Sequence, residues 1–425
     1  MASLFEDLSW RGLIHQATDQ ETLAKRLDHD RMVAYIGFDP SAGSLHVGHL
    51  QQLCTLRRIQ SAGHQAIGLV GGGTGMIGDP SGKSEERNLL SQEELDANRD
   101  AIRAQVSTLL RTDGPGEALI VDNAEWLGQA RLLEFLRDVG KHFSVNEMIR
   151  KDSVRSRLEG REQSLSFTEF SYMLLQSWDF VQLHDRYGCE LQLGGSDQWG
   201  NITEGVDLIR RLRGASAYGL TSPLVTKSDG TKFGKTESGA VWLDPARTSP
   251  YGFYQFWLRT NDADAAGYLR RFTMLERGRI EELESSLADH PERRDAQRAL
   301  AAEMTAMVHG REEAERAETA SAVLFTDKIG DLDAPTLEGA LGDAPSTSLA
   351  PGELSSGLPV AQALVRTGLA NSSRNARQLL SQGSVYVNGT RVGEDRILTD
   401  ADALHGRWTV LRRGRANQHV LVVER

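Results

Sequence analysis

Short apolar runs at 31–38, 65–70 and 117–122 alternate with longer segments whose apolar residues recur at helical spacing. A strand, a helix-length crossover and another strand predict parallel pairing, because a parallel neighbour cannot be reached by a tight turn. Leu50, Leu53, Cys54, Leu56 and Ile59 supply the buried side of a helix that starts near His46, runs to about Ser61 and is stopped by Gly63. Further helices are expected over 91–110 and 132–141, and polar helices over the first 30 residues. The pattern predicts an α/β fold built on a doubly wound parallel sheet. Ligands of such sheets bind beyond the carboxyl ends of the strands. Asp39 and the histidines that follow it lie at that end of the first strand.

From Ser166 the run SFTEFSYMLLQSWDFVQLHDRYG reads as one long helix, with Ser166 and Glu169 as a capping box and Gly188 as its stop. A short strand over 190–193 leads into GGSDQWGN, and a helix carrying Val206, Leu208 and Ile209 follows. Another short strand is expected over 223–226, before the loop KSDGTKFGKTESG. After Pro250 the spacing is helical to about residue 325. Residues 343–357, DAPSTSLAPGELSSG, are rich in Pro, Ser, Gly and Ala and read as a flexible linker. Beyond them lie a helical stretch over 360–383, a hairpin VYVNGTRV turning at Asn388-Gly389, and the strands WTVLRRG and HVLVVER. The expected domains are an α/β domain over 1–222, a helical domain over 223–342, a linker over 343–357 and a small α+β tail over 358–425.

Composition narrows the partners. No run approaches the ~18 apolar residues of a membrane span. The N-terminus carries Glu6 and Asp7 where a signal peptide would be basic and then apolar, so a cytoplasmic protein with no membrane partner is expected. Cys54 and Cys189, the two cysteines, give neither a disulfide framework nor a thiolate metal cage. The net charge is −11, but residues 358–425 hold ten arginines against five carboxylates, which leaves −16 on the residues before them. A basic tail on an acidic body suits a nucleic-acid partner. A solvated arginine-rich surface is the plain alternative, and charge alone leaves both open.

Four stretches carry candidate chemistry. His46-Val47-Gly48-His49 opens a helix, whose first N–H groups lack intrahelical partners and whose dipole is positive there. That suits an anion, with phosphate first. The i, i+3 histidines would also suit a metal, but no third ligand neighbours them, and ordinary helix caps are a further reading. Gly48 would let a flat group lie against the helix. In the loop after Val70, residues 73–78 match GxGxxG, yet Asp79-Pro80-Ser81-Gly82 cannot open a helix, and the GKS ending at residue 84 fails the P-loop spacing. What remains is a loop that brings backbone, and Asp79, close to a ligand. Tyr172, Gln176 and Asp179 share one face of an otherwise apolar helix. They form either a satisfied buried network or a polar stripe facing a polar ligand, and the pocket argument favours the stripe. Lys232 and Lys235 flank a small spacer that can wrap a polyphosphate, or they belong to a solvated basic loop.

Taken in order, these residues resemble a family. HVGH resembles the HIGH signature of class I aminoacyl-tRNA synthetases, and KFGKT resembles their KMSKS loop. The series YIGFDPSAGSLHVGH, GDPSGKSEER, YMLLQSWD, GGSDQWGN, KFGKT and SPYGFYQFW is similar to the bacterial tyrosyl-tRNA synthetases, over roughly 31–257. The tail, LPVAQALVRTGLANSSRNARQLLSQGSVYVNG, looks like an S4-type RNA-binding domain. The resemblance implies a Rossmann-like catalytic domain, a helical anticodon-side domain and an S4-like module. It also implies a two-step reaction: tyrosine and ATP give tyrosyl-adenylate and pyrophosphate, and the tyrosyl group then passes to the 3′-terminal adenosine of tRNA(Tyr). By resemblance, His46, His49, Lys232, Lys235 and Thr236 hold the triphosphate, with Ser41 beside it and Mg²⁺ as counter-charge. Lys83 and Arg87 belong to a mobile loop over pyrophosphate. Asp79, Tyr172 and Gln176 take the ammonium of tyrosine, and Tyr35 and Asp179 its phenol. Gly37, Asp39, Gly48, Gln192, Gly194, Asp197 and Gln198 line the adenylate. Phenylalanine would leave both phenol partners unpaired, a penalty that can stand in for an editing site. A homodimer joined around 132–150 is implied by resemblance alone. The basic clusters at Arg150, Lys151, Arg155 and Arg157, and at Arg210, Arg211 and Arg213, either touch an acceptor stem or are solvated.

The departures are small: Val47 stands for Ile, and Ser41 for the Thr of many relatives. The rival readings are a tryptophanyl enzyme of the same class, which would not need the Tyr35/Asp179 pair, and a synthetase-derived RNA-binding protein without catalysis. A dehydrogenase built on the GxGxxG match is remote.

Overall fold

The computed structural model describes residues 3–81, 90–113, 116–159, 165–228, 233–236, 239–324, 326–342, 344–414 and 417–424, with backbone alone at 152, 153, 156, 159, 235 and 236. The chain forms two compact units, one of residues 1–244 and 260–300, the other of 245–259 and 301–425.

The first unit is built on a six-stranded sheet. Its strands are β1 (Gln16–Ala17), β2 (Val33–Phe38), β3 (Gln65–Val70), β4 (Leu119–Asp122), β5 (Leu191–Gly195) and β6 (Tyr218–Ser222), in the order β1-β6-β5-β2-β3-β4. All neighbours pair in parallel except β1 with β6. Every residue of β5 and β6 is buried, as parallel strands covered on both faces require. The strand expected over 223–226 instead ends at Ser222, one residue before Pro223, which has no N–H to give a ladder. The register sets Tyr35 on β2 opposite Gln192 on β5 and Ile67 on β3. At the carboxyl ends of β2 to β5, Asp39, the 71–74 loop, Asn123 and the 195–198 turn converge.

The helices follow the sequence pattern closely. Val47–Ser61 ends before Gly63, Gln92–Leu109 is capped by Ser91, and Phe167–Tyr187 is stopped by Gly188 in the left-handed region. The capping box expected at Ser166 is only half made. Ser166 accepts from the Glu169 N–H, but the Glu169 carboxylate turns to Arg157 at 3.0 and 3.2 Å. That ion pair is buried on both sides. Arg157 is therefore removed from any RNA-facing cluster, and Lys151, Arg210, Arg211 and Arg213 are each paired with a carboxylate of their own unit. The loop beyond β6 holds a short antiparallel pair, β7 (Lys235–Thr236) and β8 (Gly239–Ala240).

In the second unit, helix Pro250–Leu258 packs with Arg311–Val323 and Ala334–Leu341. The tail sheet contains β9 (Ser346–Leu349), β11 (Val385–Val387), β12 (Thr390–Arg391), β14 (Trp408–Arg413) and β15 (Asn417–Val423), ordered β12-β11-β14-β15-β9. A separate pair joins β10 (Leu358–Pro359) to β13 (Ile397–Leu398). The hairpin turns at Asn388-Gly389 with both residues at positive φ, as a two-residue turn demands.

Over its described residues, 344–357, the expected linker is not a flexible one. β9 lies within them and pairs in parallel with β15. Leu349 and Leu354 are buried in the same core as Leu364, Leu380, Val385, Leu411 and Leu421. The Pro, Ser and Gly content of the segment hides two leucines that have a core to enter. A second apolar cluster joins Leu324, Leu337 and Leu341 of the helical part to Trp408, Val410 and Val420 of the sheet. The helical segment and the tail thus share one interior, whereas the sequence reading separates them.

Candidate active site

The deepest part of the site lies beside β2. Tyr35 and Asp179 are 1% and 2% exposed. Both Asp179 oxygens accept hydrogen bonds, Oδ1 from Trp126 Nε1 at 2.7 Å and Oδ2 from Asn123 Nδ2 at 2.9 Å. Burial, opposed by those two bonds, pushes the Asp179 carboxyl up to about 8. Burial, and then the neighbouring Asp179, also holds the Tyr35 phenol well above its ordinary range. The Tyr35 hydroxyl and the Gln192 Oε1 are buried with no hydrogen-bond partner among the described residues. An unpaired buried polar atom costs about 1–3 kcal/mol in the empty protein.

A second network surrounds Asp39. Tyr172 Oη donates to Asp39 Oδ2 at 2.9 Å, and Thr74 Oγ1 donates to Asp39 Oδ1 at 2.7 Å. Asn123 ties this network to the first, because its Nδ2 also donates to Thr74 Oγ1 at 2.9 Å and its Oδ1 accepts from the Gly73 N–H at 2.7 Å. The glycines of the 71–73 loop serve these carboxylates. A Cβ on Gly71 would sit 2.2 Å from Asp39 Oδ1, and one on Gly72 would sit 2.4 Å from Asp122 Oδ1. The backbone expected to approach a ligand here approaches the protein's own acids.

A third cluster holds Asp79. Gln198 Nε2 donates to Asp79 Oδ2 at 2.7 Å, and Asn201 Nδ2 donates to Gln176 Oε1 at 3.0 Å and reaches Asp79 Oδ1 at 3.5 Å. Burial, and then Asp79, raises the Asp197 carboxyl. Tyr172, Gln176 and Asp179 thus face polar groups from one side of their helix.

At the HVGH helix the expected anion cradle is altered. His46 is the N-cap, its Nδ1 accepting from the Gly48 N–H at 3.0 Å, and His49 Nδ1 accepts from the His46 N–H at 3.2 Å. The Val47 N–H donates to the Val241 carbonyl and the His49 N–H to the His46 carbonyl. The first-turn N–H groups are therefore already partnered. With each Nδ1 an acceptor, the neutral rings carry their protons on Nε2, and both become Nε2–H donors. The rings lie 4.0 Å apart. Gly48 makes room for the His46 imidazole itself, since a Cβ there would sit 2.7 Å from His46 Cε1.

The two signature loops meet at this helix. Gly234 lies against Val47, where a Cβ would come within 2.8 Å of Val47 Cγ2, and Phe233 stacks on Phe272 with ring centroids 5.3 Å apart. Lys83, Arg87 and Lys232 lie outside the described residues, and Lys235 and Thr236 are described by backbone alone. Ser41 and Gly37 are exposed at the end of β2, and Gly194 lies against Gln198. Sequence reasoning missed Asn123, Trp126, Thr74 and Asn201. Asn201 ends the GGSDQWGN motif and Thr74 stands inside the discounted GxGxxG, so both were within view. Asn123 and Trp126 carry no local signal beyond following a strand. Among the described residues, no group of three His, Cys, Asp or Glu side chains is placed to hold a metal, and no helix is long and apolar enough to cross a membrane.

A parallel sheet whose strand ends carry HVGH, with a lysine-bearing loop docked on that helix, defines a class I tRNA synthetase of the tryptophan and tyrosine group. Residues 27–326 match the model of the class I tRNA synthetases (W and Y), and residues 337–421 match the tyrosine–tRNA ligase SYY-like C-terminal domain. The tyrosine–tRNA ligase of Roseiflexus castenholzii is 52% identical over 424 residues, covering 99% of each chain, and that of Geobacillus stearothermophilus is 49% identical over 421 residues, covering 98% of this chain and 99% of its own. A C-terminally truncated mitochondrial tyrosyl-tRNA synthetase of Aspergillus nidulans superposes with a TM-score of 0.70 over 76% of this chain and 95% of that one, at 32% identity. A tryptophanyl-tRNA synthetase of Encephalitozoon cuniculi, at 16% identity and a TM-score of 0.55 over 74% of this chain and 89% of that one, shares the fold. The chain belongs to the tyrosine–tRNA ligases.

Proposed function

We propose that this chain activates L-tyrosine with ATP, forming tyrosyl-adenylate and pyrophosphate, and then transfers the tyrosyl group to a ribose hydroxyl of the 3′-terminal adenosine of tRNA(Tyr), with AMP as the leaving group. The observation that carries the amino-acid choice is the Tyr35 hydroxyl, buried beside Asp179 with no hydrogen-bond partner among the described residues. A substrate phenol pairs with both groups, and phenylalanine pairs with neither. Asp79, Tyr172 and Gln176 take the ammonium, and Gln192 supports the same pocket. Gly37, Asp39, Ser41, Gly48, Gly194, Asp197 and Gln198 line the adenylate. His46 and His49 present their Nε2–H donors to the phosphates, and Lys232, Lys235, Thr236, Lys83 and Arg87 complete the triphosphate site. The carboxylate of tyrosine attacks the α-phosphorus, and pyrophosphate leaves with its electron pair. No strong base is needed, so positioning and charge stabilisation supply the rate. Mg²⁺ would enter as counter-charge on the phosphates of ATP.

The test is tyrosine-dependent exchange of pyrophosphate into ATP, with tryptophan and phenylalanine as competitors. Exchange driven by tyrosine alone supports the reading, and its absence with tyrosine refutes it.

Residues 1–222 are assigned the adenylate chemistry, 223–342 the KFGKT loop and anticodon side, and 358–425 the tRNA contact through their arginines. A second copy of the chain covers the apolar face at Leu132, Leu133, Leu136, Val145 and Ile149, of which Leu133 is 80% exposed. Sedimentation of the full chain as a dimer, lost on Leu133→Asp, supports this, and a monomeric wild type refutes it. The cytoplasm is the assigned compartment.

A further inference from the structure

The HVGH helix and the KFGKT loop are fastened to each other by main chain. The Leu243 N–H donates to the Leu45 carbonyl at 2.9 Å, the Val47 N–H donates to the Val241 carbonyl at 3.0 Å, and His46 bridges to Trp242 between them. The Val241 N–H in turn donates to the Gly234 carbonyl at 3.0 Å, and Lys235 pairs with Ala240. At the open end of this ladder stands the buried Ser44. Its Oγ donates to the Leu45 carbonyl at 2.7 Å and accepts from the Asp244 N–H at 3.1 Å. One side chain from outside the ladder closes it. Gln105, on helix Gln92–Leu109, accepts from the Leu45 N–H at 2.8 Å through Oε1 and donates to Ser44 Oγ at 3.1 Å through Nε2.

We propose that Gln105 is a positioning residue for adenylate formation, fixing the ladder through Ser44 and Leu45 and so setting the distance between the histidines and the lysine loop. The inference rests on the assignment of those two motifs to ATP. The chemistry of the position selects an amide. The Leu45 N–H needs an acceptor, Ser44 Oγ has a second lone pair beside the one taken by the Asp244 N–H, and a neutral amide serves both in one side chain. Glutamate supplies only the acceptor, and leucine supplies neither. Gln105 touches no reacting atom, so its removal lets two phosphate-binding segments drift relative to each other without changing the tyrosine pocket. Misplacement on the scale of an ångström is enough to cost a large factor in rate.

The test uses the full-length chain and three variants, Gln105→Leu, Ser44→Ala and the double variant. Single-turnover adenylate formation and equilibrium tyrosine binding are both measured. Gln105→Leu is expected to slow adenylate formation roughly tenfold or more, with tyrosine binding within about twofold of wild type. Ser44→Ala should act in the same direction, and the double variant should be no slower than the slower single, because both act through one node. Gln105→Glu, which keeps one of the two bonds, should recover part of the rate, and it serves as the readout if the leucine variant fails to fold. Unchanged adenylate formation in folded Gln105→Leu, or multiplicative effects in the double variant, overturns the proposal. His46→Ala and His49→Ala are run alongside. If they are silent, the phosphate assignment itself fails; if they are slow while Gln105→Leu is normal, only the brace fails.

Discussion

Replacing Tyr35 by phenylalanine should make the empty protein more stable and a poorer enzyme. The hydroxyl of Tyr35 is buried with no hydrogen-bond partner among the described residues. Leaving such a group dry costs about 1–3 kcal/mol. Deleting its oxygen leaves a void no larger than a water, ~30 Å³, which at about 24 cal/mol per Å³ costs about 0.7 kcal/mol. The desolvation gain exceeds the cavity loss, so the net effect is a stabilisation of about 1 kcal/mol. For a unit of this size that is a rise of about 2–4 °C in the first thermal transition. The ring stays packed on Phe180, 5.2 Å between centroids. The substrate loses one neutral hydrogen bond, worth about 0.5–1.5 kcal/mol, so tyrosine should bind roughly 2- to 13-fold more weakly. Thermal unfolding without ligands and pyrophosphate exchange against tyrosine concentration measure the two halves. A lower melting temperature together with an unchanged KM for tyrosine would refute the argument, because the hydroxyl would then be serving the fold and not the ligand.

Asp179 gives a pH signature. Its folded pKa of about 8 lies above the ordinary 3.8, so the folded state holds the extra proton between those values, and the stability it contributes is full below about pH 4 and is lost as pH rises through 8. Denaturation midpoints of wild type and Asp179→Asn should therefore diverge in favour of the variant from pH 5 to pH 8.5, and parallel profiles would contradict the burial of the carboxyl. Breaking the buried Arg157–Glu169 pair on one side, as in Glu169→Gln, should destabilise the first unit by about 3–5 kcal/mol in urea titration, while replacing both partners with apolar residues should recover most of it. A chain ended after residue 357 should still form adenylate and charge tRNA poorly, but it should also unfold its second unit earlier, since β9 loses β15 and Leu324, Leu337 and Leu341 lose the tryptophan and valines they pack on. An unshifted second transition would mean the shared interior contributes nothing.

The sheet was legible because strands and crossover helices differ in period and length, and most of their ends carry residues that stop them for a stated reason, such as Gly188 and Ser91. The site was legible where one contiguous motif carried it. It was not legible where function depends on partners brought from other strands. Asn123 and Trp126 determine how Asp179 is held, yet nothing near them in sequence points to residue 179. The sequence predicts open N–H groups at the helix start after His46, and they are filled instead: the histidine rings take those of His46 and Gly48, and the Val241 carbonyl, from a distant segment, takes that of Val47. Composition points to a linker over 343–357 because it averages over residues, while burial is decided by individual ones such as Leu349 and Leu354.

The place of β15 has a consequence for how the second unit assembles. It sits between β14 and β9 instead of at an edge, and it follows β9 by some seventy residues. Until β15 is in place, β9 has no strand to pair with, and Leu349 lacks the Leu421 that shares its core. The sheet is therefore closed by one long-range parallel pairing, the kind that forms slowly and leaves strand flanks open to wrong partners in the meantime.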